Sequence, residues 1–584
     1  MQRQNVVIVG GGLAGLMAAV RVAEQNFHVD LISVVPVRRS HSVCAQGGIN
    51  AAVNTKGEGD SPWEHFDDTI YGGDFLANQT PVKRMCEAAP AIIYLFDRMG
   101  VMFNRTPEGL LDFRRFGGTQ YHRTAYAGAT TGQQLMYALD EQVRRYEAAG
   151  RIDKYEGWEF LSAVLDDGGT CRGVVATNLA TGEIRAFPAR AVVLATGGLG
   201  MIFGKSTNSV INTGAAAGSV YTQGARFANG EFIQVHPTAI PGPDKLRLMS
   251  ESARGEGGRI WVPRNGERWY FLEEKYPAYG NLVPRDIASR EIFDVCVNQG
   301  LGVDGKNQVY LDLTHIPAEV LEVKLGGILE IYRKFMGEDP AKVPMKVFPA
   351  VHYSMGGLWV DYDQMTSIPG LFAAGECEYQ YHGANRLGAN SLLSCLYGGQ
   401  VAGQKAMEYA LGAGPSPAVD RHLRQEVARQ EAFVEQILRM DGDENPYQLH
   451  RELGEIMTEN VTVVRHNDRL DETLEKIMEF KERWRHLGPP DRGRRMNQPL
   501  HFARQLYYML ELAHVITLGA RLRDESRGAH YKPEFPERDD ERFLKTTLAT
   551  YTPEGPRIDY EDVDIQYIPP RPRKYDVDKK ETMG

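Results

Sequence analysis

The chain has 584 residues, 42% hydrophobic and 24% charged, a composition that fits a soluble globular protein with more than one domain and excludes a disordered or collagen-like chain. Its 66 Lys and Arg against 76 Asp and Glu leave a formal net charge of −10, so nothing points to a nucleic-acid partner and any anion must be caught by local cations. The six cysteines, Cys44, Cys86, Cys171, Cys296, Cys377 and Cys395, form no C-x-x-C pair; this argues against a metal ion or iron–sulfur cluster held by this chain and fits a reducing, cytoplasmic setting.

The first predicted element is a buried parallel strand over Val6–Val9, in "NVVIVGGGLAGLMAAVRVAEQ". Gly10, Gly12 and Gly15 follow in G-x-G-x-x-G spacing and lead into a helix rich in Ala and Leu. Glycines there let the backbone approach a pyrophosphate, and the helix N-terminus faces the negative charge. A plain tight turn gives the same glycines, but their place between a strand and a helix favours dinucleotide binding. The next strand, "HVDLISVV", offers Asp30 and Ser33, and neither stands clearly at the acidic strand-end position that takes an adenosine ribose, so that contact is left unassigned. No apolar run approaches the roughly 20 residues that span a bilayer, and the first strand begins too early for a secretion signal to precede it.

Two later segments repeat the strand-into-turn pattern. "RAVVLATGGLG" runs into Thr196, Gly197 and Gly198, and "GLFAAGECE" ends at Gly375 and Glu376. Taken with the first glycine turn, they resemble flavoproteins of the glutathione-reductase type, in which an acidic residue at the last strand meets the flavin's ribityl or phosphate end. The predicted fold is therefore an α/β, Rossmann-like FAD-binding domain in two blocks, 1–243 and 354–410, interrupted by an α+β capping domain at 244–353. Beyond the "GAGPSP" linker, Val419, Leu423, Val427, Val434, Ile437 and Leu438 recur at helical spacing, with further helical stretches at 447–487 and 497–523. They form a helical domain over 418–530. A C-terminal region follows over 531–584; "ESRGAHYKPEFPERDD" at 525–540 is read as a charged structural loop, and the Pro- and charge-rich end, "PPRPRKYDVDKKETMG", as an extended tail.

The stretches "RRSHSVCAQGGINAA", "GEFIQVHPTAI", "LRLMSESARGEGG", "NLVPRDIASREIF", "FPAVHYSMGGLWVD" and "HGANRLGANSLLS" resemble, in order and spacing, the flavoprotein subunit of succinate dehydrogenase and fumarate reductase. The resemblance covers about residues 5–540, and within the family it points to the Bacillus-type succinate:menaquinone enzymes. It implies FAD covalently attached through His41, with Gly47, Gly48, Ser391 and Leu392 close to the flavin. An N-linked substituent on the 8α carbon raises the flavin potential, which suits a substrate as hard to oxidise as succinate. By the same resemblance Arg386, His236, His352 and Ser250 hold the two carboxylates, and Phe116 covers the substrate. Ser250 stands where the family often has Thr, keeping the hydroxyl and losing the methyl. Arg285 matches the family's proton carrier, with Glu251 and Arg254 as its relay. An arginine, whose pKa lies above 12, can serve only by passing one proton on as it takes another. Where the family often has an acidic residue after Gly214, this chain has Ala215.

The implied function is oxidation of succinate to fumarate. Electrons would go to an iron–sulfur subunit and then, through one or more haem-bearing cytochrome b-type anchor subunits, to membrane quinone. The flavoprotein is then peripheral, on the cytoplasmic face of the cell membrane. The alternatives are fumarate reduction by the same site and, further off, L-aspartate oxidation, which the presence of His41 disfavours. An inactive flavin-bearing scaffold is disfavoured by the intact Arg285 and Glu251.

Overall fold

The computed structural model describes residues 5–243, 246–413 and 419–577. Five parallel strands form one sheet in the order Leu371–Ala373, Ala191–Leu194, Asn5–Val9, His28–Ser33 and Ile152–Glu156. Every residue of the Asn5–Val9 strand is buried, as expected of a parallel strand covered on both faces. The helices Leu13–Ala23 and Asn390–Gly412 pack together over one face. Their contact is close because glycines face alanines: a Cβ on Gly399 would come within 2.3 Å of the Ala14 carbonyl oxygen. The strands Trp158–Leu165, Cys171–Asn178 and Ile184–Pro188 form a smaller antiparallel sheet beside the other face.

Between Leu194 and Leu371 the chain leaves the parallel sheet and builds a six-stranded antiparallel one, in the order Arg247–Leu248, Ile233–Ile240, Met345–Ser354, Val309–Asp312, Arg259–Arg264 and Glu267–Trp269. The long pair Ile233–Ile240 and Met345–Ser354 shifts register between Gln234 and Val235 and again between His236 and Ala239. Such irregularities re-aim side chains, and Gln234 and His236 both become site residues.

The apolar spacing from Val419 to Leu438 is seen as the helix Val419–Arg439, and the stretch predicted near 497–523 as Gln498–Leu522. The stretch expected at 447–487 is two helices, Pro446–Asn460 and Asn467–Trp484. Buried Arg465 sits in the break and donates to the Val461 carbonyl at 3.0 Å. Most of the predicted linker falls at 414–418, outside the described residues. No described helix is long and apolar enough to cross a membrane.

The C-terminal region holds more structure than its composition suggests. Lys545–Thr550 and Arg557–Asp562 pair antiparallel and join Phe227–Ala228 and Gly357–Leu358 in a four-stranded sheet. Residues 564–577 carry no helix or strand. They are nonetheless bound to the helices Pro62–Gly72 and Gln79–Arg98: Gln79 Nε2 donates to the Ile568 carbonyl at 2.7 Å and the Tyr71 hydroxyl to that of Lys574 at 3.0 Å.

Candidate active site

Two cavities meet at His41, Ser42, Glu376 and Cys395. The larger, about 510 Å³, runs over the carboxyl ends of the parallel strands along Gly10, Gly12, Ser33, Thr196, Gly197 and Asn212. Gly10 has φ +118°, and a Cβ there would meet the Ala195 carbonyl oxygen at 2.0 Å, so only glycine lets the two strand-end turns close on each other. A Cβ on Gly15 would likewise meet the Gly10 carbonyl oxygen at 1.9 Å. No acidic residue occupies the first turn of the Leu13–Ala23 helix, and the buried Asn212 Nδ2 has no protein acceptor. An elongated, glycine-lined cavity with an unpaired donor and a helix N-terminus fits the phosphates and ribityl chain of a dinucleotide. Glu376 reaches the junction because Gly198 is bare: a Cβ there would lie 2.3 Å from its Oε1. Burial pushes the Glu376 carboxyl up to about 7, against the opposing hydrogen bond from the Ser354 amide. Asp30 is engaged by Asn5 at 3.0 Å, whereas Ser33 lines the cavity.

The smaller cavity, about 330 Å³, gathers Gly47, Gly48, Phe116, His236, Ser250, Glu251, Arg285, His352, Arg386, Ser391 and Leu392 around His41. Arg254 lies behind Glu251. The Glu251 carboxylate is 1% exposed and bridges two arginines: Arg285 donates to Oε2 through Nε at 2.8 Å and Nη2 at 2.6 Å, and Arg254 Nη2 donates to Oε1 at 2.8 Å. Burial alone would raise its pKa, but Arg285 and then Arg254 outweigh that and hold it below the ordinary carboxylate value. The Gly117 amide adds a further donor at 3.1 Å.

Arg386 is 2% exposed, and its Nε has no hydrogen-bond partner. Burial, then repulsion from Arg285, pushes its pKa down to about 9, the mark of a cation short of an anion. His236 is fully buried, and its Nδ1 accepts from the Thr238 amide at 3.2 Å, so Nε2 carries the proton of the neutral ring; that atom has no protein acceptor. Burial, then Arg285, holds both His236 and His352 well below the usual histidine value. The two rings meet edge to face with centroids 5.0 Å apart. Ser250 Oγ lies 2.9 Å from Ser252 Oγ, and the Phe116 ring lies where a Cβ on Gly47 would be, 2.7 Å from its Cζ. The His236 Nε2 donor and an undercompensated arginine facing one cavity suit a small carboxylate anion.

A family model described as an FAD binding domain matches residues 5–392, and one described as the fumarate reductase flavoprotein C-terminal region matches 450–575. The chain is 68% identical to the succinate dehydrogenase flavoprotein subunit of Bacillus subtilis (strain 168), over 98% of this chain and 99% of that one. It belongs to the flavoprotein subunits of succinate dehydrogenase and fumarate reductase. It is also 35% identical to the fumarate reductase flavoprotein subunit of Escherichia coli (strain K12), over 98% of this chain and 96% of that one. Among solved structures it is similar to the FrdA chain of a mutant E. coli quinol fumarate reductase, with TM-score 0.92, 34% identity, and 99% and 100% of the two chains covered. Sdh1 of Mycobacterium smegmatis in complex with UQ1 matches with TM-score 0.83 and 30% identity, over 97% and 95% of the two chains.

Like the rest of this flavoprotein family the chain binds FAD, and His41 lines both cavities where they meet. Some residues of the site were not read from the sequence. Gln234 Oε1 accepts from Arg285 Nη1 at 2.9 Å; its signal was its position two residues before His236, on the same strand. Ser209 donates its amide to His41 Nδ1 at 3.2 Å, and Thr207 Oγ1 lies 2.6 Å from His352 Nδ1. Arg114, 2% exposed, stacks 4.0 Å from the Tyr126 ring centre and donates through Nε to the Gly47 carbonyl at 3.1 Å, fixing the loop next to Phe116. Apart from Gln234, no local pattern marks these residues, because their contacts with His41, His352 and Gly47 join segments far apart in the chain.

Proposed function

We propose that this chain oxidises succinate to fumarate. The observation that carries the reading is the buried Arg254–Glu251–Arg285 relay ending in the cavity that Arg386, His236 and His352 face. Bound FAD supplies the hydride acceptor and is attached through His41. Arg386 grips one carboxylate with its planar fork, while His236, Ser250 and His352 take the remaining carboxylate oxygens as donors. Phe116 covers the substrate. Arg285 takes a proton from one methylene as it gives one to Glu251, and Arg254 carries the charge outward. The segment 244–353 acts as a cap that closes on the FAD-binding body, excludes water and completes the site.

Electrons leave to an iron–sulfur partner and then to quinone through cytochrome b-type anchor subunits, which hold the flavoprotein on the cytoplasmic face of the membrane. The same residues serve fumarate reduction, so the direction is set by cofactor and quinone potentials. The FAD-loaded chain should turn over succinate with an artificial acceptor and reduce quinone poorly without its partners; peroxide formation driven by L-aspartate would overturn the reading.

Dicarboxylate binding has its own expected signature. Malonate at about 100 times its Kd should stabilise the folded protein by about 2.7 kcal/mol, and Arg386→Met should abolish that gain. Thermal unfolding with and without malonate checks it; an unchanged gain in the variant removes Arg386 from the site.

A further inference from the structure

We propose that the C-terminal tail positions Arg285, and that Arg573 is the residue through which it does so. The inference rests on the reading of Arg285 as the proton carrier. Arg573 is 8% exposed on its side chain, and its Nη1 lies 2.9 Å from Asp286 Oδ2 and 3.3 Å from Asp74 Oδ2. Asp286 is the neighbour of Arg285 in the first turn of the helix Arg285–Phe293. Asp74 belongs to the FAD-binding body, where it also accepts from Arg538 Nη1 and the Gly528 amide, each at 2.8 Å. Arg573 therefore joins the cap helix to the body through two buried carboxylates.

Neighbouring tail residues reinforce the same bridge. Arg571 holds Asp67 with both Nη atoms, at 2.9 and 2.7 Å. Tyr575, 3% exposed, packs against Tyr71 of the body at 5.4 Å and Tyr279 of the cap at 5.0 Å between ring centres. The bridge continues an ion-pair chain: Arg538 meets Asp540, which meets Arg527, and Glu525 links Arg527 to Arg523 and so to Glu231.

The charge arrangement explains why Arg285 depends on it. The Asp286 side chain is 1% exposed, and its other cation, Arg290 Nη2, stands off at 3.6 Å. Without Arg573 this carboxylate lacks its nearest cation, and the neighbouring Arg285 becomes the alternative. A swing of Arg285 toward Asp286 breaks its paired bonds to Glu251. Small displacements of a group in a proton relay cost up to about 100-fold in rate.

The test uses the FAD-loaded complex with its partner subunits and compares Arg573→Met, Arg573→Lys, Asp286→Asn and the Arg573→Met/Asp286→Asn double variant. Arg573→Met is expected to lower kcat for succinate by about 10- to 100-fold, with KM changed far less and with FAD content and the malonate-induced thermal shift retained. A larger solvent deuterium isotope effect should accompany the loss, and Arg573→Lys should restore part of the rate. The double variant should be no slower than the worse single one, because both act through one contact. An unchanged kcat, additive losses or an unchanged isotope effect would each overturn the proposal. If Arg573→Met does not assemble, Arg573→Gln decides it on the same kcat and isotope effect. Arg285→Lys is run alongside: full activity there would remove the reading of Arg285 itself, whatever Arg573 does.

Discussion

Arg285→Lys is expected to cut kcat for succinate oxidation by about 10²- to 10⁴-fold, the range general acid–base groups contribute, while malonate still binds. Lysine keeps the positive charge, so electrostatic attraction for a dianion survives. What it loses is the fork. Arg285 uses Nε and Nη2 to hold both sides of one Glu251 oxygen and Nη1 to hold Gln234. An ammonium on a flexible stem cannot make these three bonds at once. Glu251→Gln preserves the shape of the link and removes its charge, and it should cost at least about 100-fold in kcat. It also leaves Arg254, which is fully desolvated, without its countercharge.

The ionisation of Glu251 bears on the pH profile. Because its folded-state pKa is held below the ordinary carboxylate value, the stability it contributes is present above that value and is lost only as pH falls through the lowered one. The Glu251 carboxylate is therefore ionised from mildly acidic to alkaline pH, the state in which the proposed relay needs it to accept a proton from Arg285. Single-turnover reduction by succinate, measured with a solvent isotope effect, checks both variants; wild-type rates in Arg285→Lys would remove the relay.

Much of this site was legible because its chemistry sits in short segments. The first glycine turn needs a bare backbone at Gly10, and a strand-turn-helix signature carries that requirement locally. "SESARGEGG" places Glu251 and Arg254 three residues apart, one helical turn, which is the spacing their ion pair uses. The unread parts are those where distant segments meet. Gln234 reaches Arg285 across 51 residues and Arg573 reaches Asp286 across 287. The strands Lys545–Thr550 and Arg557–Asp562 were hidden by a charged surface: the second is mostly exposed, and its only apolar residues, Ile558 and Tyr560, stand among charged ones in too short a run to mark a strand. The break at Val461–His466 was hidden because apolar spacing resumes after it with the same period.

His41→Ser is expected to separate the two directions of the reaction. Wild-type flavin should remain with acid-precipitated protein on the peptide that contains His41, and the variant should release it. Withdrawal of electrons by an 8α-nitrogen substituent raises the flavin potential. For a two-electron couple each loss of about 30 mV shifts the equilibrium tenfold against succinate oxidation. Fumarate reduction draws on the opposite driving force, so the variant should keep far more of that activity than of succinate oxidation. The neighbours of His41 make the test clean: Ser209 and Asn208 hold the ring from the protein side, and neither contacts the Arg285 relay. A general loss of folding would depress both directions together, and loss of a dicarboxylate ligand would appear in the malonate shift. Release of flavin from the wild-type protein with succinate oxidation intact would mean that this site reaches the required potential without a covalent bond, and the case for His41 would then rest on its packing against Ser209 alone.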